Sequence, residues 1–383
     1  MTNPQATTHN AHIPVPAQTL AFGPYSQSLP WPVHLNLELE PHSEVLVGSA
    51  TIRVADVEFG WNHIGLEERI ADGGIEWARA LSVVEHLCVS CSQANLLCFV
   101  QAAESMSHLI VPPRAVYLRL VLAEIERIVS HLQSASALID ALGLAVRATA
   151  MHEVRERLIN ALADWTGARQ QPGLITYGGM AHNIDEAATR SLSLAARHCE
   201  RALRAQVVAT INSKEMAGRL TALAVIKGRE AVAAGLRGPI LRASGVASDV
   251  RASFPTGAYE DEAVTVIVQR NGDAFSRLVV RLLECLESFR VIEQALDDLP
   301  TGPVRARGTH EMRTGRGISR VEGPRGEILC WVDGAPEGLR GLHLSTGSFP
   351  TLGILPGILH GIRLEDLPLV LLSLDLCLPC AER

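Results

Sequence analysis

Two pairs of cysteines are the residues of this chain whose type and spacing best suit chemistry. Each pair has the spacing Cys-x-x-Cys, and the four residues are Cys88, Cys91, Cys377 and Cys380. This spacing lets both sulfurs of a pair face one metal ion, and thiolates are soft ligands that suit zinc, iron or nickel. The two pairs therefore indicate metal or redox chemistry.

Other uses of these cysteines stay open on spacing alone. A structural four-cysteine zinc site fits the residue types, although zinc ribbons usually keep their pairs close in sequence. A thioredoxin-like redox motif needs a βαβ setting, which neither pair has. Residues 1–20 lack the pattern of a secretory signal, so a disulfide framework is not expected. Ordinary burial is the simplest interpretation of the other four cysteines, which are Cys98, Cys199, Cys285 and Cys330.

The composition narrows the classes of function. The chain has 383 residues, of which 47% are hydrophobic, and its formal net charge is −7. An acidic chain with 4% aromatic residues lacks the basic face and the stacking residues of nucleic-acid-binding proteins. No run of 18 apolar residues is present, so the chain is not expected to cross a membrane itself. We expect a polar tail over residues 1–20 and a single domain over residues 21–383.

The elements that must position the cysteines are mostly helical. Residues 34–40 alternate between apolar and polar types and residues 45–54 are β-prone, which predicts a half-buried hairpin or meander. Residues 116–132 have the periodicity of an amphipathic helix entered through Pro112 and Pro113. Similar patterns cover residues 75–108, 150–166, 184–211 and 260–298.

A second β region follows the helices. Residues 327–332 are typical of a strand, Asp333-Gly334 of a tight turn, and residues 342–344 of a returning strand. An apolar loop-and-helix segment follows from Ser348. The predicted fold class is α+β, mainly α: a helical bundle with a small N-terminal β region and a β-ribbon near the C-terminus.

Several short segments form a recognisable series along the chain. Examples are GWNHIGLE at residues 60–67, EHLCVSCS at 85–92 and EGPRGE at 322–327. The series also includes residues 111–132, 166–169, 178–180, 238–251, 272–284 and 373–383. In this order the segments resemble the large subunits of NiFe-hydrogenases and their relative, the quinone-site core subunit of respiratory complex I. The resemblance implies a fold like that of the NiFe-hydrogenase large subunit.

Two features favour the hydrogenase branch of that family, and the resemblance is to its complex I-related members, which are membrane-bound and energy-converting. The complex I subunit lacks the cysteines, whereas this chain has all four. Residues 23–27 read GPYSQ, where a quinone-site subunit is expected to carry GPxHP. The implied activity is reversible conversion of H2 into two protons and two electrons. The alternative is a non-hydrogenase core subunit of a complex I-like NADH/quinone oxidoreductase, which keeps the fold without turning over hydrogen.

The resemblance also implies a nickel–iron centre and a role for each cysteine. Cys88 and Cys377 match terminal ligands of nickel, and Cys377 also matches the first proton acceptor. Cys91 and Cys380 match ligands that bridge nickel and iron. No cysteine set remains in the chain for an iron–sulfur cluster of its own.

Two charged residues match further functional positions. Arg325 is implied to hold its guanidinium over the open metal position, where it supplies charge and hydrogen bonds. A structural ion pair is the alternative for this arginine. Glu67 matches a residue that helps to hold a magnesium ion, and a solvated helix glutamate is the alternative.

The resemblance implies several partners. Electrons would leave through an iron–sulfur small subunit, and membrane-arm subunits of a complex I-like assembly would hold the chain on the membrane. The chain would then be cytoplasmic and peripheral, on the cytoplasmic face. Maturation proteins would build the nickel–iron centre.

Some positions depart from the pattern of the family. Val89 stands in place of glycine after the first cysteine, and Asn95 in place of histidine. Trp31 stands where an alignment of residues 28–32 puts a proton-relaying glutamate. Losing such a relay slows or abolishes turnover, because buried proton transfer needs titratable groups within reach.

Overall fold

The N-terminal β region is a three-stranded antiparallel sheet. The computed structural model describes residues 18–23, 31–40, 50–170, 173–307 and 312–383. Strands β1 (Gln18–Phe22), β2 (His34–Leu39) and β3 (Ile52–Glu58) pair in that order. Every second residue of β2 is buried, as its alternation predicts. The predicted meander is confirmed, and β3 continues past residue 54 because Ala55 and Val57 extend the buried face.

Parts of three predictions lie outside the described residues. These parts are residues 1–17 of the predicted tail, residues 24–27 of the GPYSQ segment and residues 45–49 of the predicted second strand. The last three residues of the predicted tail belong to the sheet, since β1 begins at Gln18.

Eleven helices follow within the described residues. They are α1 (Leu66–Gly73), α2 (Trp77–His86), α3 (Ser92–Ser107), α4 (Pro113–Ala141), α5 (Ala145–Thr166), α6 (Glu186–Ile211), α7 (Lys214–Leu220), α8 (Gly228–Ala233), α9 (Gly238–Ala243), α10 (Val250–Ser253) and α11 (Ala274–Asp297). A two-residue ladder of β4 (Ile175–Thr176) and β5 (Gly179–Met180) lies between α5 and α6. The helical bundle predicted from periodicity is confirmed.

Helix α4 is the central helix of the bundle. It begins at Pro113, whose fixed φ and missing N–H suit the first turn of a helix. It packs against α5 on one side and α11 on another. Its apolar residues therefore face helices nearly all round, and most of them are buried.

The predicted helix over residues 260–298 is wrong in its first third, because α11 begins only at Ala274. Residues 264–268 are all β-branched, and such side chains are costly in a helix. Asp273 then starts the helix by accepting a hydrogen bond from the Ser276 N–H at 2.8 Å.

The second β region is a three-stranded antiparallel sheet of β6 (Gly315–Gly323), β7 (Gly326–Ala335) and β8 (Gly338–Ser345). The predicted strands are confirmed, but the predicted turn at Asp333-Gly334 is wrong. Both residues lie within β7 at a register shift, and the turn falls on Pro336 and Glu337. Gly334 packs against Trp77, where an added Cβ would lie 2.4 Å from the indole ring.

The C-terminal segment forms α12 (Ser348–Leu359), α13 (Leu367–Leu374) and α14 (Leu378–Ala381). These helices share an apolar core with the first sheet, while the helical bundle shares another with the second sheet. None of the described helices has the length and apolar character that crossing a membrane requires.

A backbone crossing fixes the turn that joins β6 and β7. Gly326 follows Arg325 with φ +109°, and an added Cβ there would lie 2.5 Å from the backbone nitrogen of Gly238. Only glycine allows this approach in this conformation. The start of α9 thus lies directly against the turn that carries Arg325.

Buried ion pairs connect the helices to this sheet. Arg242 of α9 is fully buried and binds Glu284 of α11 at 2.6 Å and Glu322 of β6 at 2.7 Å. Removing one member of such a group leaves buried charges without a partner.

We expect Arg242→Met to lower the free energy of unfolding by about 3–5 kcal/mol, because Glu284 and Glu322 would stay buried without their cation. The exposed pair of Arg204 with Glu200 provides a matched control, and Arg204→Met should cost about 1 kcal/mol or less. Urea denaturation of both variants measures the difference. Equal loss in the two variants would show that the buried pairs are not a main source of stability.

Candidate metal centre

The two cysteine pairs lie at the starts of two helices. Cys88 lies in the loop after α2, and Cys91 is the residue immediately before α3. Cys377 immediately precedes α14, and Cys380 lies within it.

The fold brings the four sulfurs together. They all lie within 4.8 Å of one another, and the sulfurs of Cys88 and Cys377 are 3.1 Å apart. All four side chains are buried. Sulfurs that bind one metal ion lie about 2.3 Å from it, and therefore at most about 4.6 Å apart. The 4.8 Å within which the four sulfurs lie is close to that limit, so a small adjustment would let them hold one ion, or two ions that share ligands.

The ionisation of the cluster also favours a cation. Hydrogen bonds from Cys377 and the other cysteines lower the pKa of Cys88 well below the usual thiol value. The pKa of Cys91 and of Cys380 is raised well above that value, chiefly by their hydrogen bonds with Cys377 and by burial. One thiolate therefore forms readily, and further thiolates need a compensating cation. The donor set fits a thiophilic metal such as nickel, iron or zinc.

Neighbouring polar groups hold the second pair in place. The hydroxyl of Ser348 accepts a hydrogen bond from the Cys377 N–H at 2.9 Å, and Thr346 donates to the Cys380 carbonyl at 3.0 Å. The Asn95 amide lies 3.5 Å from the Cys380 sulfur. Asn95 therefore contacts the site at the position where the family pattern has histidine.

Arg325 lies against the sulfurs. Its Nη1 is 3.1 Å from the Cys91 sulfur and 3.2 Å from the Ser130 hydroxyl. Its Nε and Nη2 donate to the carbonyl and carboxylate of Asp375 at 2.7 and 2.8 Å. Burial opposes the charge, but Asp375 and the cysteines raise the pKa of Arg325 well above its usual value. The arginine thus combines a structural ion pair with contact to the cluster.

Helix α11 fixes the carboxylate that orients Arg325. Arg277 donates to the Ser373 hydroxyl at 2.9 Å, and Arg281 donates to the Ser373 carbonyl at the same distance. Arg281 also lies 3.7 Å from the carboxylate of Asp375. The end of α13, directly before the loop that holds Asp375, is therefore bound to α11 by two buried arginines.

A cavity of about 400 Å³ lies beside the cluster and is lined by residues next to the cysteines in the chain, among them Val89 and Leu376. Arg325, Asp375 and Ser130 form part of its polar wall. Its apolar wall includes Trp31, Val89, Leu371, Leu372 and Leu376. Trp31 also packs against the four cysteines. Trp31 and Val89, which both depart from the family pattern, thus line the cavity beside the candidate metal centre.

Glu67 lies outside this cluster. Its carboxylate accepts hydrogen bonds from the Leu344 N–H at 3.0 Å and from Arg383 Nε at 2.5 Å, and it pairs with His343 at 3.0 Å. Burial opposes the charge, but these donors lower the pKa of Glu67. It is therefore not a solvated helix glutamate. Nor do its surroundings fit magnesium, which binds oxygen ligands and water.

Sequence reasoning assigned no role to Glu126, Ser130 or Arg281. All three lie in segments quoted for the resemblance, at residues 111–132 and 272–284. Their place in these segments was the only sign of a role in the sequence. Periodicity predicts that they lie on buried helix faces, but it does not predict which residues they contact. Ser130 binds Arg325, and Arg281 lies against Asp375.

Glu126 caps the helix that follows Cys91. Its carboxylate accepts hydrogen bonds from the N–H groups of Gln93 and Ala94 at 2.7 and 2.9 Å, and from the Ser92 hydroxyl at 3.2 Å. These groups are the unpaired donors of the first turn of α3. Glu126 thereby fixes the direction in which α3 leaves the first cysteine pair.

The comparisons with known proteins agree with this architecture. Residues 142–314 match the family model of the respiratory-chain NADH dehydrogenase 49-kDa subunit. A D-type NADH-quinone oxidoreductase subunit of Anaeromyxobacter sp. (strain K) is 35% identical over 294 residues, which are 74% of this chain and 76% of that protein. The chain belongs to the 49-kDa subunit family.

Other members of the 49-kDa subunit family and its relatives match nearly end to end. The carbon monoxide-induced hydrogenase of Rhodospirillum rubrum is 27% identical over 95% of this chain and 99% of its own. A chain in the structure of the membrane-bound sulfane sulfur reductase, an archaeal respiratory membrane complex, superposes with a TM-score of 0.88. It is 25% identical and covers 96% of this chain and 98% of its own.

These likenesses confirm the predicted family and the mainly α fold class. They also identify the chain as an oxidoreductase-type subunit whose relatives include both hydrogenases and NADH-quinone oxidoreductases. The four cysteines lie outside residues 142–314, which the model of the 49-kDa subunit family matches. Their function is therefore argued from the geometry of the cluster.

The pKa of Glu126 leads to a testable pH dependence. Burial is the main cause that raises this pKa from 4.5 to about 7, so the folded chain holds the proton more tightly than the unfolded chain. The resulting stabilisation is fully present below pH 4.5 and is lost as pH rises through about 7.

Between these two pH values, the free energy of unfolding of the wild type should fall by about 3 kcal/mol more than that of Glu126→Gln. The glutamine keeps the size of the side chain but does not titrate. Chemical denaturation at several pH values measures both slopes. Parallel slopes would show that Glu126 does not titrate in this window.

Proposed function

We propose that the chain is the catalytic large subunit of a NiFe-hydrogenase-type complex, which converts H2 reversibly into two protons and two electrons. The observation that carries this proposal is the cluster of four buried sulfurs within 4.8 Å, with Arg325 in contact. Four thiolates suit a nickel–iron pair, which needs soft and partly shared ligands. The end-to-end match to a hydrogenase of Rhodospirillum rubrum supports it.

Each cysteine has a role in this proposal. Cys88 and Cys377 would bind nickel as terminal ligands, whereas Cys91 and Cys380 would bind both nickel and iron. When bound, the nickel–iron centre supplies heterolytic cleavage of H2. The sulfur of Cys377 is fully buried and would accept the proton that this cleavage releases.

The surroundings of the cluster would support the reaction. Arg325 holds a fixed positive charge beside the Cys91 sulfur, and Asp375 keeps its guanidinium from turning away. A preorganised charge of this kind needs no rearrangement during the reaction, and burial strengthens it. The walls formed by Trp31 and Leu376 limit the entry of water.

Electrons would pass to partner subunits. Within the described residues, the other cysteines are buried outside the cluster, and Cys98, for example, contacts Ser319 in the second sheet. We therefore propose an iron–sulfur small subunit as the electron partner. Membrane-arm subunits of a complex I-like assembly would hold the chain at the cytoplasmic face of the membrane, and maturation proteins would insert the metals.

A second candidate is a core subunit of a complex I-like oxidoreductase that does not turn over hydrogen. The cavity of about 400 Å³ favours it, because sites for small organic molecules have volumes of about 300–1,000 Å³. Its apolar wall suits an organic molecule. Trp31 offers no titratable group at the position where the family pattern has a proton relay.

Elemental analysis of the complex purified from its own host separates these candidates. The hydrogenase proposal expects about one nickel and at least one iron per chain beyond the iron of partner clusters. Cys377→Ala should abolish bound nickel, since a terminal ligand is lost. Cys199→Ala is the matched control, because Cys199 is buried between helices, near the Val154 carbonyl, and should keep it.

The other results have equally definite meanings. Zinc alone would overturn the proposal that the four cysteines take part in oxidoreductase chemistry, in either candidate. It would establish a structural four-cysteine site. Absence of metal from the intact complex would favour the core subunit that kept the fold and lost the chemistry.

Arg325→Lys tests the role of the guanidinium. Lysine keeps the charge but cannot bind Asp375 with two parallel hydrogen bonds. We expect nickel content to stay at the wild-type level while hydrogen–deuterium exchange activity falls roughly 100-fold. Loss of nickel together with activity would instead make Arg325 a structural residue of the cluster.

A further inference from the structure

The last residues of the chain are bound to the segment that leads into α1. The carboxylate of Glu382 accepts hydrogen bonds from the backbone N–H and the side-chain amide of Asn62, at 2.7 and 3.1 Å. The imidazole of His63 lies 2.7 Å from the Glu382 carbonyl. This contact joins residues 62–63 to the residues that follow α14, the single helical turn that contains Cys380.

Arg383 completes this contact from the other side. Its Nε donates to the Glu67 carboxylate at 2.5 Å, and its Nη1 donates to the Cys380 carbonyl at 3.3 Å. Only 11% of its side chain is exposed. The guanidinium therefore joins a carboxylate oxygen to a carbonyl oxygen, and these are the two kinds of ligand that a hard divalent cation takes.

We propose that the guanidinium of Arg383 takes the place of a divalent cation between Glu67 and Cys380, and clamps the turn that carries Cys377 and Cys380 onto α1 and β8. The resemblance led us to expect magnesium at Glu67. The structure instead surrounds that carboxylate with hydrogen-bond donors from Arg383, Leu344 and His343.

Charge and coordination both exclude magnesium from this arrangement. A magnesium ion demands near-octahedral oxygen ligands at about 2.0–2.1 Å, whereas an N–H group and a guanidinium cannot act as ligands. An added double positive charge would also lie beside the guanidinium charge of Arg383. A guanidinium with five donors in a rigid fork can satisfy both oxygens at once.

The clamp positions half of the cysteine cluster. Helix α14 has only four residues, and Arg383 binds the carbonyl of Cys380 within it. Thr346 binds the same carbonyl, from the end of β8. Positioning of the second cysteine pair is therefore independent of magnesium, and this inference holds whichever metal the cysteines bind.

The intact complex in magnesium-free buffer provides the first test. Isothermal titration with Mg²⁺ alone should give no site assigned to this chain, and millimolar Mg²⁺ should leave its unfolding temperature where KCl of equal ionic strength leaves it. One Mg²⁺ bound per chain, and lost in Glu67→Gln, would overturn the proposal without bearing on the hydrogenase function.

The second test measures the clamp by hydrogen–deuterium exchange of the peptide that contains residues 377–383. Arg383→Ala should speed exchange there roughly 10- to 100-fold, the factor expected for losing hydrogen bonds to a charged group. Arg340→Ala is the matched control, because Arg340 is exposed and pairs only loosely with Glu337 at 3.5 Å. Exchange in Arg383→Ala at the wild-type rate would show that the arginine does not clamp the turn.

Discussion

Four buried sulfurs from distant parts of the chain pack against one another, and the surrounding elements must hold them together. Cys88 and Cys377 are 289 positions apart in the chain, and their sulfurs are 3.1 Å apart. If more than one of these sulfurs ionises, the thiolates repel one another strongly away from water, so the site favours positive charge nearby. Arg325 supplies such a charge from the turn between β6 and β7, and the proposed metal would supply the remainder.

Each surrounding element can be understood as a support for that cluster. Glu126 caps α3 behind Cys91, Ser348 holds the backbone of Cys377, and Arg383 clamps Cys380. Arg281 of α11 lies against Asp375, which in turn orients Arg325. Buried charges in this protein therefore occur in connected groups, because an isolated buried charge would cost several kcal/mol.

The relatives of this chain include a hydrogenase and NADH-quinone oxidoreductase subunits, so one architecture is found with different chemistry. The bundle of α4, α5 and α11 with its second sheet forms one core, and the cysteine pairs lie where it meets the C-terminal helices. Trp31 and Val89 line the cavity beside the cysteines, and both depart from the family pattern. Chemistry on a shared fold is decided by the site that the fold carries.

Sequence alone determined the elements whose signals are local. The periodicity of α4, the alternation of β2 and the two Cys-x-x-Cys spacings follow from neighbouring residues, and the ordered motifs identified the family. Only the tertiary structure decided what those residues contact. Gly334 is in a strand instead of a turn because it packs against Trp77, and Glu67 binds Arg383, 316 positions away. Such partners depend on how distant elements pack, which no local pattern encodes.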